Sequence, residues 1–128
     1  MNVLVVDDQR EVVSGLLNGL HWKELEIDDV YSACCAEEAR RVFLSEQIDI
    51  LLCDIEMPGE NGLSLFRWVV QKFPQTECIF LTSHAEFSYA KEAISLGSFD
   101  YILQPARYEE IEASIQRARR QILQKNSS

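Results

Sequence analysis

The sequence predicts an α/β domain, an open, doubly wound parallel sheet of five strands with five helices laid on its two faces. Three observations lead there. Short apolar runs of four or five residues alternate with longer stretches whose hydrophobic positions follow helical spacing. The short runs are apolar nearly throughout, as expected of parallel strands covered on both sides. At 128 residues the chain has the length of one compact domain, and right-handed crossovers between consecutive parallel strands then distribute helices to both faces.

Taken in order, residues 3–6 form the first continuous apolar run, and residues 27–32, the most polar of the set, read as an edge strand. Residues 50–53, 78–82 and 101–103 supply the other three strands. Between them, Val12, Val13, Leu16, Leu17 and Leu20 make one helical face, and Ala39, Val42 and Phe43 begin a second. Leu65, Phe66, Val69 and Val70 mark a third. Phe87, Ala90 and Ile94 mark a fourth, with Gly97 as its C-terminal stop. Ile111, Ile115, Ala118 and Ile122 give the last. There is no internal repeat and no low-complexity tract, so the domain is expected over residues 1–124, with 125–128 as a tail or the start of a linker.

Composition narrows the function classes. Apolar residues are 47% and charged residues 26% of the chain, enough for a core without disulfide or metal staples. Twelve basic against 21 acidic side chains leave a net charge of −9, a field that repels phosphate backbones and anionic lipid headgroups. Direct binding of DNA or membrane by this segment is therefore disfavoured. The basic cluster of Arg117, Arg119, Arg120 and Lys125 reads as a solvated, dipole-complementing helix end. Cys34, Cys35, Cys53 and Cys78 contain no Cys-x-x-Cys pair and no histidine at ligand spacing, so neither a zinc site nor a disulfide framework is suggested. With no basic leader and no long apolar run, a cytoplasmic location is expected, and the sequon Asn126-Ser127-Ser128 is a chance match.

In sheets of this kind ligands bind beyond the carboxyl ends of the strands, so the residues just after the apolar runs carry the chemistry. Asp7 and Asp8 follow the first strand and Asp54 follows the third, which brings three carboxylates to one edge. Alone, Asp8 would read as a helix N-cap. Together, three like charges raise one another's pKa unless a cation neutralises them, and a small all-oxygen site suits magnesium. Thr82 ends the fourth strand with a hydroxyl at the same edge, and Gln104-Pro105 follows the fifth.

These residues resemble the receiver domains of two-component response regulators. The resemblance rests on Val3-Leu4-Val5-Val6-Asp7-Asp8, Asp54-Ile55-Glu56-Met57-Pro58-Gly59-Glu60-Asn61-Gly62, Leu81-Thr82-Ser83 and Phe99-Asp100-Tyr101-Ile102-Leu103-Gln104-Pro105, in that order and spacing. His21-Trp22-Lys23-Glu24-Leu25 and Phe87-Ser88-Tyr89-Ala90-Lys91-Glu92-Ala93 look most like receivers of AraC-type, YesN-like transcription regulators. The resemblance implies a flavodoxin-like sheet of strand order 2-1-3-4-5. It implies that Asp54 accepts a phosphoryl group from a sensor histidine kinase, that Asp8, Asp54 and the main-chain carbonyl of Glu56 bind magnesium with help from Asp7, and that Thr82 and Tyr101 form the switch. It also implies a homodimer through the face of the fourth helix, fifth strand and fifth helix, and DNA contact only through an output domain outside this segment.

One departure stands out, because the family's lysine is replaced here by Gln104, which donates hydrogen bonds without positive charge. It supports an alternative, a phosphorylation-independent pseudo-receiver that acts as an interaction module. Glu56 and His84 flank the expected phosphoryl group, as loop residues facing solvent or as tuners of the phosphorylated state's lifetime, whereas His21 reads as surface. A phosphatase of the haloacid-dehalogenase kind would also use a nucleophilic aspartate, but it needs Asp-x-Asp where this chain has Asp54-Ile55-Glu56. The expectation is a self-phosphorylating signalling module and not a metabolic enzyme.

Overall fold

A computed structural model describes residues 1–127. Along the chain lie β1 (Asn2–Val6), α1 (Arg10–Gly19), β2 (Asp29–Ala33), α2 (Ala36–Ser45) and β3 (Ile50–Cys53), then α3 (Gly62–Lys72), β4 (Glu77–Thr82), α4 (Phe87–Leu96), β5 (Asp100–Leu103) and α5 (Tyr108–Asn126). The five strands form one parallel sheet ordered β2-β1-β3-β4-β5, the flavodoxin-like arrangement expected, with β2 on an edge. Of the expected tail, Lys125 and Asn126 still belong to α5, and Ser128 lies outside the described residues. No described helix is long and apolar enough to cross a membrane.

Because strand side chains alternate between faces, the sheet feeds two cores. Leu4, Val6, Leu51, Cys53, Cys78 and Phe80 point to one side, where Phe43 of α2, Phe66 and Val69 of α3 and Ala93 of α4 cover them. Val3, Val5, Ile50, Leu52, Ile79 and Leu81 point to the other, beneath Leu16 of α1 and Ile111, Ile115, Ala118 and Ile122 of α5. Fully buried on both faces, β3 and β4 have no need of the polar alternation of a half-solvated strand.

Two expectations are corrected. The second strand begins at Asp29, not at residue 27, because the Ile27 N–H is used by the Trp22 carbonyl and the chain turns at Glu26, where φ is 61°. The fourth helix does not pack through Phe87 and Ile94, which are 82% and 73% exposed. It packs through the stripe Tyr89, Ala93 and Leu96, the small Ala93 being its one buried residue. Gly97 ends that helix as anticipated, in the left-handed conformation. The apolar surface at this edge is accordingly Phe87, Ile94 and Leu103, while Tyr89, Leu96 and Tyr101 lean on the core.

Candidate functional site

The carboxyl ends of β1 and β3 lie side by side, with Val6 paired to Cys53 and the Asp54 N–H donating to the Val6 carbonyl at 2.9 Å. That register carries Asp7, Asp8 and Asp54 to a common rim, where one oxygen from each lies within 4.8 Å of the others. Asp8 is not a helix cap. Gln9 takes the N-cap position of α1 without a side-chain bond, and its N–H is held by Asp7 Oδ1 at 2.9 Å. The carboxylates line a cavity of about 460 Å³ that also takes in Glu56, His84 and Gln104.

Electrostatics give these acids their character. Burial raises the Asp7 carboxyl above its ordinary range, the Gln9 N–H opposing and the Asp8 charge adding. Asp54 is raised to about 6, first by burial and then by the charge of Asp7, although the Ile55 N–H reaches its Oδ1 at 2.8 Å and works the other way. An all-oxygen donor set in which Asp7 and Asp54 both hold their protons above the ordinary carboxylate range is the chemistry a hard divalent cation relieves, so the residues present fit magnesium.

The raised Asp54 value makes stability depend on pH. The folded state retains a proton that the unfolded chain loses near 3.8, so the contribution is intact at lower pH and lost as pH climbs through about 6. Asp54→Asn removes this loss. In metal-free buffer the variant is expected to match the parent near pH 4 and to exceed it at pH 7.5 by on the order of 1 kcal/mol, a figure discounted for the half-exposed site. Denaturant unfolding at both pH values checks this, and an equal gap at both would refute it.

The remaining expected residues are arranged unequally. Thr82 is fully buried, and its hydroxyl oxygen accepts the His84 N–H at 3.1 Å. Tyr101 donates its hydroxyl to the His84 carbonyl at 3.1 Å, so Thr82 and Tyr101, the expected switch pair, are tied to one residue of the loop after β4. Gln104 Oε1 accepts the Ala106 N–H at 3.1 Å, directly after the cis Gln104–Pro105 bond, and Gln104 lines the cavity.

A further side chain joins the site. Tyr89 of α4, for which the sequence suggests no part in the site, donates its hydroxyl to Glu56 Oε1 at 2.6 Å, while Glu56 Oε2 pairs with His84 Nε2 at 3.0 Å. The Glu56 carboxylate pushes the Tyr89 phenol up to about 12. Glu56 thus links the loop after β3 to α4. No local signal marks this, because Glu56 and Tyr89 are 33 positions apart. His21, read as a surface residue, pairs with Glu112 at 2.9 Å and stays outside the cavity.

A family model described as response regulator receiver domain matches residues 3–116. The transcriptional regulatory protein YesN of Bacillus subtilis is 32% identical over 114 residues, which are 89% of this chain and 31% of that protein. HptR, a transcriptional regulatory protein of Staphylococcus aureus, is 28% identical over 98% of this chain and 49% of its own length. This chain therefore spans about three-tenths to one half of the length of those relatives. Among solved structures, the receiver domain of AraT, a response regulator from Geobacillus stearothermophilus, superposes with a TM-score of 0.89 at 31% identity, covering 98% of this chain and 97% of that one.

Proposed function

The chain belongs to the response regulator receiver domain family, and on that premise we propose that it is a phosphorylation switch whose acceptor is Asp54. The observation that carries this reading is the convergence of Asp7, Asp8 and Asp54 within 4.8 Å in an open cavity at the carboxyl edge of the sheet. One Asp54 carboxylate oxygen attacks phosphorus in the phosphohistidine of a sensor kinase. The P–N bond breaks as the P–O bond forms, leaving an acyl phosphate on Asp54 and a histidine that takes up a proton. The Ile55 N–H on Oδ1 orients the carboxylate for this attack.

Asp8, Asp54 and the Glu56 main-chain carbonyl would hold magnesium, with Asp7 assisting, and the bound ion supplies positive charge against the transferring phosphoryl oxygens. The Thr82 hydroxyl, now accepting from the His84 N–H, becomes the donor to a phosphoryl oxygen, and its rearrangement reaches Tyr101 through the same loop. Gln104 donates its amide N–H to the phosphoryl group without adding charge.

The signal then passes to other surfaces. The exposed Phe87, Ile94 and Leu103 offer an apolar edge for a homodimer or for output contacts. The transcriptional regulators that this chain resembles are longer than it is, which supports an output domain beyond this segment as the part that meets DNA, in the cytoplasm. The net charge of −9 supports the same division of labour.

The test is intact-mass measurement after incubation with a small phosphoryl donor, with and without magnesium, on the parent, Asp54→Asn and Gln104→Lys. The parent should gain one phosphoryl mass only with magnesium, and Asp54→Asn none. Gln104→Lys should react about five- to tenfold faster, the worth of exchanging a neutral for a charged donor to an anion. An adduct that survives Asp54→Asn removes Asp54 as acceptor. A parent that stays unmodified with every donor and with a kinase points to the phosphorylation-independent interaction module that Gln104 favours. An unaltered rate in Gln104→Lys sinks the charge argument.

A further inference from the structure

Away from the acidic cavity, the turn between β2 and α2 gathers a second set of ligand-type side chains. Cys35 is the N-cap of α2 and Glu38 sits one turn into the helix, a spacing that folds the longer side chain back over the cap. Glu38 Oε1 accepts the Cys34 N–H at 3.1 Å, and its Oε2 accepts the Cys34 thiol at 3.1 Å. One ligand atom from each of Cys34, Cys35 and Glu38 lies within 4.8 Å of the others. We propose that Cys34, Cys35 and Glu38 form a binding site for a thiophilic divalent cation of the zinc class.

The donor set selects the metal. Thiolates are soft ligands that magnesium declines and zinc accepts, so this site and the all-oxygen acidic one choose different ions. A tetrahedral centre with arms of about 2.0–2.3 Å has edges of roughly 3.3–3.8 Å. The Cys34–Glu38 distance of 3.1 Å is already close to that, and the 4.8 Å limit leaves side-chain adjustments of about 1 Å. Two protein thiols and one carboxylate leave the fourth position to water, and a cavity of about 330 Å³ opens beside Cys34 and Glu38. On binding, each thiol gives its proton to solvent as its sulfur–metal bond forms, and Glu38, already ionised, changes its partner from the Cys34 proton to the metal.

Helix capping alone does not account for the cluster. It explains the bond from the Cys34 N–H to Glu38, yet Cys35, at the cap itself, makes no side-chain cap bond. The other two thiols offer no competition, because Cys53 and Cys78 are enclosed in the core while Cys34 is exposed. The Arg10 side chain in the wall of the adjoining cavity and the N-terminal end of α2 offset the negative charge of two thiolates and a carboxylate.

The test titrates the reduced full chain with cobalt(II), in excess magnesium to occupy the acidic site. One equivalent should produce a thiolate-to-cobalt charge-transfer band, which zinc should then bleach as it displaces cobalt. Cys34→Ser and Cys35→Ser should each abolish the band, and Glu38→Gln should weaken cobalt binding at least tenfold. Asp54→Asn should leave the band intact, and unchanged melting of the serine variants should show that they are folded. Cobalt uptake with no thiolate band, or a band that persists in either serine variant, overturns the proposal. So does a band lost in Asp54→Asn, which would assign the metal to the acidic site.

Discussion

Phe80→Ala is expected to lower the free energy of unfolding by about 3–5 kcal/mol, the range for removing an enclosed aromatic side chain and leaving its volume as a cavity. Phe80 lies within β4 and is fully buried. Its ring meets Phe66 of α3 edge-on at 5.7 Å between centroids and leans on Tyr101 of β5 at 6.5 Å. Three elements therefore lose packing with one substitution. A domain of this size holds about 5–15 kcal/mol in all, so the variant should sit close to the folding threshold. Denaturant unfolding with an unaltered slope measures the cost, and a loss below about 2 kcal/mol would mean that the surroundings collapse into the space. Because the Phe80 ring supports Tyr101, the variant should also loosen the tyrosine's hold on the His84 carbonyl.

Gly62→Ala should be nearly as costly, for the opposite reason. A Cβ at position 62 would lie 2.0 Å from the Asp54 carbonyl oxygen and 2.9 Å from the Cys53 sulfur. The first is a backbone atom of Asp54 itself, so it has no rotamer through which to withdraw. Gly62 opens α3, where alanine brings a helix-propensity gain of up to about 1 kcal/mol. Overpacking against main chain costs typically 1–3 kcal/mol and more where nothing can yield. The net expectation is a loss of about 2–3 kcal/mol and, if the proposed switch operates, slower phosphorylation of Asp54, since relief of the overlap must move the Asp54 backbone. Gly59→Ala is the control. Gly59 has φ 85° with nothing within 4 Å of an added Cβ, so its cost is the left-handed strain alone, about 1–2 kcal/mol. If Gly62→Ala proves no worse than Gly59→Ala, the overlap is relieved more cheaply than the geometry implies.

Much of the architecture was legible because it is written in local periodicity. The apolar run at 50–53 coincides with β3, and the runs ending at Val6, Thr82 and Leu103 stop where β1, β4 and β5 stop. Those endings matter most, since they place Asp7, Asp8 and Gln104. The misreadings fall where local pattern and tertiary context part. Ile27 is apolar and buried like a strand residue, but its N–H belongs to a turn. Phe87 and Ile94 are apolar at helical spacing, yet α4 rests on the core through a different stripe, with only Ala93 small enough for close approach.

By itself the sequence determined the succession of strands and helices, the parallel sheet, and the acids that stand at the strand ends, because each follows from the spacing of apolar residues within a few positions of one another. Only the tertiary structure decided which side chains meet across those ends. The register of β1 against β3 brings Asp7, Asp8 and Asp54 within 4.8 Å, and the seating of α4 beside the loop after β3 delivers Tyr89 to Glu56. The turn into α2 sets two thiols against Glu38. Such contacts depend on how helices pack on a twisted sheet and how loops close between them, a geometry that no stretch of neighbouring residues encodes.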